Sequence, residues 1–403
     1  MLTEVKTRAI ELDFTAQKAS EGRAAIHEYP AMLHYLLVDN LLSLYAPKDS
    51  TVYDPFCGSG VTIIETLKTS RKVIGTDLNP LALLIAEART LNLYQEKVAS
   101  NLKKIKNDWG SNTADVPEIT NIEYWFNPDV IEGLGKIRKS LRAIDDKTYG
   151  LFFKTVFSQT VRNVSNNKKG EFKRNRINKE KLDIYRPRVW ETFERIALKY
   201  SQILTDPLLY RDFKLFRHDA RQPLPFNDKV DIVITSPPYG DSKTTVAYGQ
   251  FSSFSMEWIK GLNPYGDGDL TLDGRLLGGK KGIFGATPSV SLKQTLNKIQ
   301  DENRKEEVNI FFSDLFLSCN NIIKCLSDHP TVCLVVGNRT VNGITIPMDE
   351  IVKEFFEHFG LKHLKTLVRK INNKRMPALN SPSNVKGYLS PTMTAEYIVI
   401  MKG

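Results

Sequence analysis

Cysteine and histidine are both scarce in this chain. Its four cysteines, Cys57, Cys319, Cys325 and Cys333, have no paired metal spacing, and its six histidines form no His-Glu-x-x-His or similar cluster. A recognisable zinc motif is therefore excluded, and no metal is expected. Long apolar runs are missing too, so nothing approaches the roughly 20 residues of a bilayer-spanning helix. The opening "MLTEVKTRAIELDF" has no signal-peptide core. The expectation is a cytoplasmic protein, away from membranes, with its thiols reduced.

What is present is an ordinary globular composition on a chain of 403 residues, 41% of them apolar, enough for two domains or one elaborated one. Net charge is +10 and unevenly placed. Between Arg162 and Arg188 there are ten Lys/Arg against three Asp/Glu. That window is rich in Asn and broken by Phe172, Tyr185 and Pro187, which suits a loop. A run of charge is usually a solvated face; the functional alternative is a polyanion partner held through phosphate contacts.

Strand-like and helix-like segments alternate along the chain. "AMLHYLLVDNLLSLY" (31–45) has apolar positions at helical spacing. Strands are predicted at "TVYDPFCGSG" (51–60), which runs into a glycine loop and a helix, and at "KVIGTDLNP" (72–80), again followed by a helix. Residues 95–210 are mostly polar and helix-like and interrupt the alternation. It resumes at 213–220 and 230–239, with further strands at 331–337, 364–370 and 396–403. This predicts a doubly wound α/β sheet split by a mostly helical insertion. The division expected is 1–95, 96–210 and 211–403, with a glycine-rich insertion near 262–305.

In Asp54-Pro55-Phe56-Cys57-Gly58-Ser59-Gly60, a strand delivers a carboxylate and then two glycines that let backbone approach a ligand closely. Asp77 ends the next strand, a position suited to accepting from ribose hydroxyls. The dinucleotide pattern G-x-G-x-x-G is not completed, because Ile63 stands where its third glycine would fall, and the Gly-Lys-Ser/Thr of a P-loop is absent. An adenosine ligand without phosphate is the better fit. Farther on, the apolar strand Asp231–Ile234 runs straight into Ser236-Pro237-Pro238-Tyr239. Proline donates no hydrogen bond and fixes its own φ, so the ladder stops in a stiff corner between a hydroxyl and an aromatic ring. On Pro-Pro alone, a plain strand-ending turn would be the preferred reading.

Taken together, "DPFCGSG", "GTDLNP" and "TSPPYG" resemble the S-adenosylmethionine loop, ribose-binding acid and catalytic corner of the amino-methylating DNA methyltransferases. "HEYPAMLHYLL" (27–37) resembles the helical segment that precedes the glycine loop in that family. The resemblance covers about half of the chain and implies a Rossmann-like class I methyltransferase sheet, S-adenosylmethionine as cofactor and double-stranded DNA as substrate. It also implies a restriction–modification setting, with a cognate restriction endonuclease as a further partner. It assigns cofactor contacts to Tyr29, Pro30, Asp54, Pro55, Phe56, Cys57, Gly58, Gly60, Asp77 and Leu78, and to Asp219 and Ala220 after the third strand. The alternative for "HDARQ" is a simple turn cap. The insertion would hold target recognition, although many cytosine-N4 enzymes of the family carry their two halves in the reverse order.

The corner's chemistry follows from the amine. An exocyclic amine is a poor nucleophile because its lone pair is delocalised into the ring. Acceptors aimed at its N–H groups, the Ser236 hydroxyl and the Pro237 carbonyl, would stabilise the charge that develops on nitrogen. A rigid Pro237-Pro238 corner preorganises them. Tyr239 would stack on a base rotated out of the duplex. Ring-carbon methylation needs a cysteine nucleophile after proline, and none of the four cysteines has that context. Ser at the corner favours cytosine N4 over adenine N6. RNA guanine-N2 methylation is the third possibility; its enzymes usually carry an amino-terminal RNA-binding domain, and only about 25 residues precede "HEYPAML".

Candidate DNA contacts are Lys173, Arg174 and Arg176 in the basic window and Lys374 and Arg375 in "NKRMPALNSPSN". Two further segments have a functional and an ordinary reading each: "DSKTTVAYGQFSSF" (241–254), as a cover for the base, and the glycine-rich 266–285, as a DNA contact.

Overall fold

The computed structural model describes residues 6–111, 113–242, 245–268, 270–279, 285–371, 379–380, 390–391 and 393–403. Lys374 and Arg375 lie outside the described residues. An eight-stranded sheet forms the centre. Its strands in chain order are β1 (Thr7–Arg8), β2 (Thr51–Asp54), β3 (Lys72–Asp77), β4 (Phe213–Arg217), β5 (Val230–Thr235), β6 (Leu326–Val336), β7 (Lys362–Lys370) and β8 (Ala395–Lys402). The spatial order is β1-β7-β8-β6-β5-β2-β3-β4. β8 runs antiparallel to both of its neighbours, and every other pairing is parallel.

The central strands read as apolar runs because both faces are covered. On β5, Ile232 and Ile234 face one core with Val52, Cys333 and Val335; Val233 faces the other with Tyr53, Val332 and Leu334. This is the period-two alternation of a strand dividing its side chains between two layers. The first layer contains α1 (Tyr35–Tyr45) and α2 (Val61–Lys68). The second contains two long helices, Glu302–Cys325 and Met348–His358. Helix α3 (Pro80–Arg89) starts cleanly: Asn79 caps it by accepting from Leu81 N at 3.1 Å, and Pro80 sits where its missing N–H costs nothing.

The helices between α3 and β4 are α4 (Gln95–Ser111), α5 (Pro128–Arg142), α6 (Lys147–Val164) and α7 (Val189–Leu204), with two short ones at Ile122–Trp125 and Lys179–Ile184. The four long ones share a third core with α3 and with α8 (Tyr248–Trp258). The aromatic-rich segment after the Pro-Pro corner is therefore largely helix. Phe251, Phe254 and Trp258 are buried among Phe126, Phe157 and their neighbours. A helix that follows β5 thus packs as part of the helical layer. No helix among the described residues is long and apolar enough to cross a membrane.

β2 and β5 are neighbours whose onward connections diverge, β2 toward β3 and β4, β5 toward β6. A crevice opens beyond the strand ends at such a reversal. Asp54 and Ser236 both lie there.

Candidate active site

One cleft of about 880 Å³, its open mouth included, occupies this crevice. Its wall brings together residues from four parts of the chain: Tyr29 and Pro30, Asp54–Gly58, Asp77 and Leu78, and Asp219 and Ala220, with Ser236 and Pro238 at one end. Gly60, Pro237 and Tyr239 do not line it. Gly60 has a packing reason instead. Its φ is +80°, and a Cβ there would lie 2.6 Å from Ala86 Cβ, so glycine lets α2 and α3 approach.

Asp54 ends β2. Its Oδ1 accepts from Thr235 Oγ1 at 2.6 Å and from Phe56 N at 3.1 Å. Burial pushes its pKa up to about 6 against the pull of these bonds. Thr235 precedes Ser236, so this bond ties the glycine loop to the corner. Asp77 accepts from Gly58 N at 2.9 Å and Asn79 N at 2.8 Å, which fixes the carboxylate on the loop. Burial raises its pKa as well, to about 6. Asn79 also donates to Tyr29 Oη at 3.0 Å and Ser252 Oγ at 2.7 Å, which anchors the Tyr29 ring between Gly58 and α8. Cys57 is buried beside Gly75, a packing position, and burial holds its thiol well above the usual range.

At the other end of the cleft, Asp219 pairs with Arg221, whose Nη2 is 2.7 Å from Oδ2. Burial alone would raise this carboxyl, but hydrogen bonds and charge from Arg221 leave it below the usual carboxylate range. Arg221 reaches onward to the buried Asp314 at 2.9 Å. Part of the glycine-rich segment folds back here, and Arg275, Leu276 and Leu277 join the wall. Asp273, just before them, accepts from the N–H groups of Gly249 and Gln250 in the first turn of α8.

At the corner, Ser236 Oγ donates to Tyr239 Oη at 3.0 Å, and Tyr239 Oη donates to Glu396 Oε1 at 3.1 Å. Behind Tyr239 the fit is close, because a Cβ on Gly337 would come within 2.8 Å of the ring.

The basic window behaves unevenly. Arg174 is engaged inside the molecule: Nη2 is 2.5 Å from Glu257 Oε2, Nε donates to Ser253 Oγ at 2.6 Å, and the guanidinium lies 4.3 Å from the Phe254 ring centre. Arg176 lies 4.0 Å over the Tyr124 ring, and Lys173 is exposed.

Several wall residues escape sequence reasoning. Ala31–Leu33, Asn79, His218, Tyr248 and Arg275–Leu277 are brought to the cleft by long-range packing. Each lies in a stretch that the sequence singles out, Asn79 as a cap before proline, but residue type alone does not separate it from its neighbours. Arg89 is also unannounced. It is completely buried at the end of α3 and donates to the carbonyls of Ala24, Ile26 and Ser59 and to Ser59 Oγ.

A mostly parallel sheet with one antiparallel strand, a glycine loop after β2 and an acid after β3 are the arrangement expected of a class I S-adenosylmethionine-dependent methyltransferase. The sequence places it further. Residues 10–88 match the DNA methylase family of N6 and N4 methyltransferases. The chain is 34% identical to the Type II methyltransferase M.MvaI of Kocuria varians, over 97% of its own length and 93% of that protein's. It belongs to the amino-methylating DNA methyltransferases. Solved structures match loosely. TrmN from Thermus thermophilus is 12% identical with a TM-score of 0.32, over 92% of this chain and 49% of that one. The rRNA methyltransferase aviRa from Streptomyces viridochromogenes is also 12% identical, with a TM-score of 0.31 over 95% and 90%.

The cleft's own chemistry suits S-adenosylmethionine. Asp77 keeps lone pairs for ribose hydroxyls, Tyr29, Phe56 and Tyr248 supply flat apolar wall, and His218 Nε2 is buried with no hydrogen-bond partner among the described residues. A pH dependence follows. The folded pKa of Asp77 lies above its ordinary value of 3.8, at about 6, so the carboxylate is charged above pH 6 and protonated below it. Cofactor affinity should be constant above about pH 7 and weaken as pH falls through 6. Calorimetry from pH 5 to 8 checks this. Asp77→Asn should remove most of the pH dependence, and a full dependence surviving in that variant would reassign it to Asp54. Folding stability shifts the opposite way, because charging these buried groups costs more as pH rises from about 4 to 6.

Proposed function

We propose that the protein methylates the exocyclic N4 of cytosine in double-stranded DNA, at a base turned out of the duplex into the Ser236 end of the cleft. The observation that carries this is the state of Ser236. Its proton is committed to Tyr239, so its lone pairs remain for an amine N–H. An acceptor is what a weakly nucleophilic amine needs as positive charge develops on nitrogen. When bound, S-adenosylmethionine supplies a methyl carbon made electrophilic by the adjacent sulfonium. The chain's residues do the orienting: Ser236 is the acceptor on the cleft wall, Tyr239 holds its proton from behind that wall, and the Asp54–Thr235 bond holds cofactor loop and corner in register. Serine rather than an acidic or amide side chain favours cytosine over adenine N6. Sequencing DNA from cells that express the protein, with a method that separates the two methylated amines, tests the choice. N4-methylcytosine in a fixed context supports it, and N6-methyladenine replaces it with the adenine reading.

The helical segment 96–210 is proposed to recognise the target sequence, and the Type II designation of the Kocuria varians relative is the reason to propose a partner endonuclease. Within the basic window, Lys173 is the best placed phosphate contact. Lys173→Ala should lower the salt slope of DNA binding by about 0.9. Arg174→Ala should act differently, lowering the melting temperature because Glu257 loses its partner in a half-buried site. Salt titrations of DNA binding, with melting curves for both variants, distinguish the two.

A further inference from the structure

We infer that Glu396, held by Arg369, is a positioning residue that sets the direction of the hydrogen bonds at the catalytic corner and thereby makes Ser236 an acceptor. Arg369 and Glu396 stand directly opposite each other on β7 and β8. Arg369 Nε donates to Glu396 Oε2 at 2.7 Å, and Arg369 Nη1 is anchored on the Leu12 carbonyl at 3.0 Å. The other carboxylate oxygen, Oε1, is 3.1 Å from Tyr239 Oη, and Tyr239 Oη is 3.0 Å from Ser236 Oγ.

The polarity of this chain is dictated by its far end. A guanidinium only donates and an ionised carboxylate only accepts. Tyr239 must therefore give its single proton to Glu396, which leaves only lone pairs facing Ser236. Ser236 must then donate to Tyr239, and both of its own lone pairs stay free on the cleft side. The hydrogen bonds carry the orientation set by Arg369 and Glu396 through Tyr239 to Ser236. This rests on the corner reading above and adds to it the residues that fix the serine's state.

Glu396→Gln tests the inference with almost no change of shape. The single amide oxygen will be claimed by Arg369, which turns the NH2 group toward Tyr239. Tyr239 must then accept from it and donate to Ser236, which uses one serine lone pair and releases the serine proton to compete with the amine. The measurement is the single-turnover rate of methyl transfer to duplex DNA, alongside cofactor affinity and melting temperature. Glu396→Gln should slow transfer by about tenfold or more, with cofactor affinity held within about twofold. Ser236→Ala should slow it more, and adding Glu396→Gln to Ser236→Ala should cost less than about a further twofold, since the hydroxyl it orients is gone. A wild-type rate in Glu396→Gln while Ser236→Ala is slow overturns this inference alone, as does a full, multiplicative loss in the double variant. A wild-type rate in Ser236→Ala overturns the corner reading and the inference with it. If Glu396→Gln fails to fold, Tyr239→Phe decides, because it keeps the ring and the Arg369–Glu396 pair but cuts the chain. It should slow transfer about threefold or more, and a wild-type rate there overturns the inference.

Discussion

Methyl transfer should fall by at least about a hundredfold in the Ser236→Ala, Tyr239→Ala double variant, with cofactor binding nearly unchanged. Loss of one oriented group at a site of developing charge typically costs on the order of a hundredfold in turnover. Removing Tyr239 as well takes away the group that holds the Ser236 proton. The two losses should not simply multiply, because the Ser236 and Tyr239 hydroxyls are bonded to each other at 3.0 Å. Cofactor affinity is insulated for a structural reason: Tyr239 is off the cleft wall, and Asp77, the proposed ribose acceptor, is held by Gly58 and Asn79, not by the corner. Stability should drop, because Tyr239 is partly buried against the second core and its removal leaves Glu396 with one partner fewer. Transfer rates taken well below the melting temperature, with calorimetry of cofactor binding, separate the two effects. Full activity in the double variant would remove the corner from the chemistry.

The second large effect is expected from Arg89→Met, which should destabilise the fold by about 3–5 kcal/mol and abolish cofactor binding where the protein remains folded. Arg89 has no exposure at all, and its guanidinium is bonded to the Ala24, Ile26 and Ser59 carbonyls and to Ser59 Oγ, with Met32 Sδ 3.4 Å away. Burial lowers its pKa to about 9, still high enough to stay charged at neutral pH. Methionine matches the stem but donates nothing, so several buried carbonyls would lose their partner. Each such orphan costs about 1–3 kcal/mol, and removing a buried charged group from its network typically costs about 3–5 kcal/mol in total. That is a large share of the roughly 5–15 kcal/mol by which a typical domain is stable. The functional consequence follows from what Arg89 joins. It connects the segment leading to Tyr29 and Pro30 with the glycine loop at Ser59, so both walls of the cofactor end depend on it. Denaturant unfolding and cofactor titration of the variant measure both parts. A variant that binds cofactor with wild-type affinity would show that the two walls are held independently.

Arg89 also illustrates where sequence reasoning stops. In "AEART" it looks like a helix-ending cation on a surface, and no local pattern says that three carbonyls from residues 24–59 converge on it. The glycine loop, the acid of "GTDLNP" and the Pro-Pro corner were legible because backbone geometry forces their residue types: positive φ, a strand end, a ladder without an N–H. The positions of the main strands along the chain were legible through the same punctuation. The two-residue strand Thr7–Arg8 was not, since its pairing with β7 is decided by contacts 360 residues away. The basic window shows the converse failure. Composition treats its three central cations alike, but the fold commits Arg174 to Glu257, lays Arg176 on Tyr124 and leaves Lys173 exposed. Tyr248 and Arg275–Leu277 joined the cleft wall for the reason Arg89 did: tertiary packing put them there.

The most direct test of the central claim is the product. Purified protein would be given S-adenosylmethionine labelled in its methyl group, together with duplex DNA or structured RNA, and the nucleosides released by digestion would be identified by mass spectrometry. Label is expected on DNA alone, as N4-methylcytosine, carried on the exocyclic nitrogen. Label on ring carbon 5 of cytosine, or on RNA in place of DNA, would contradict it.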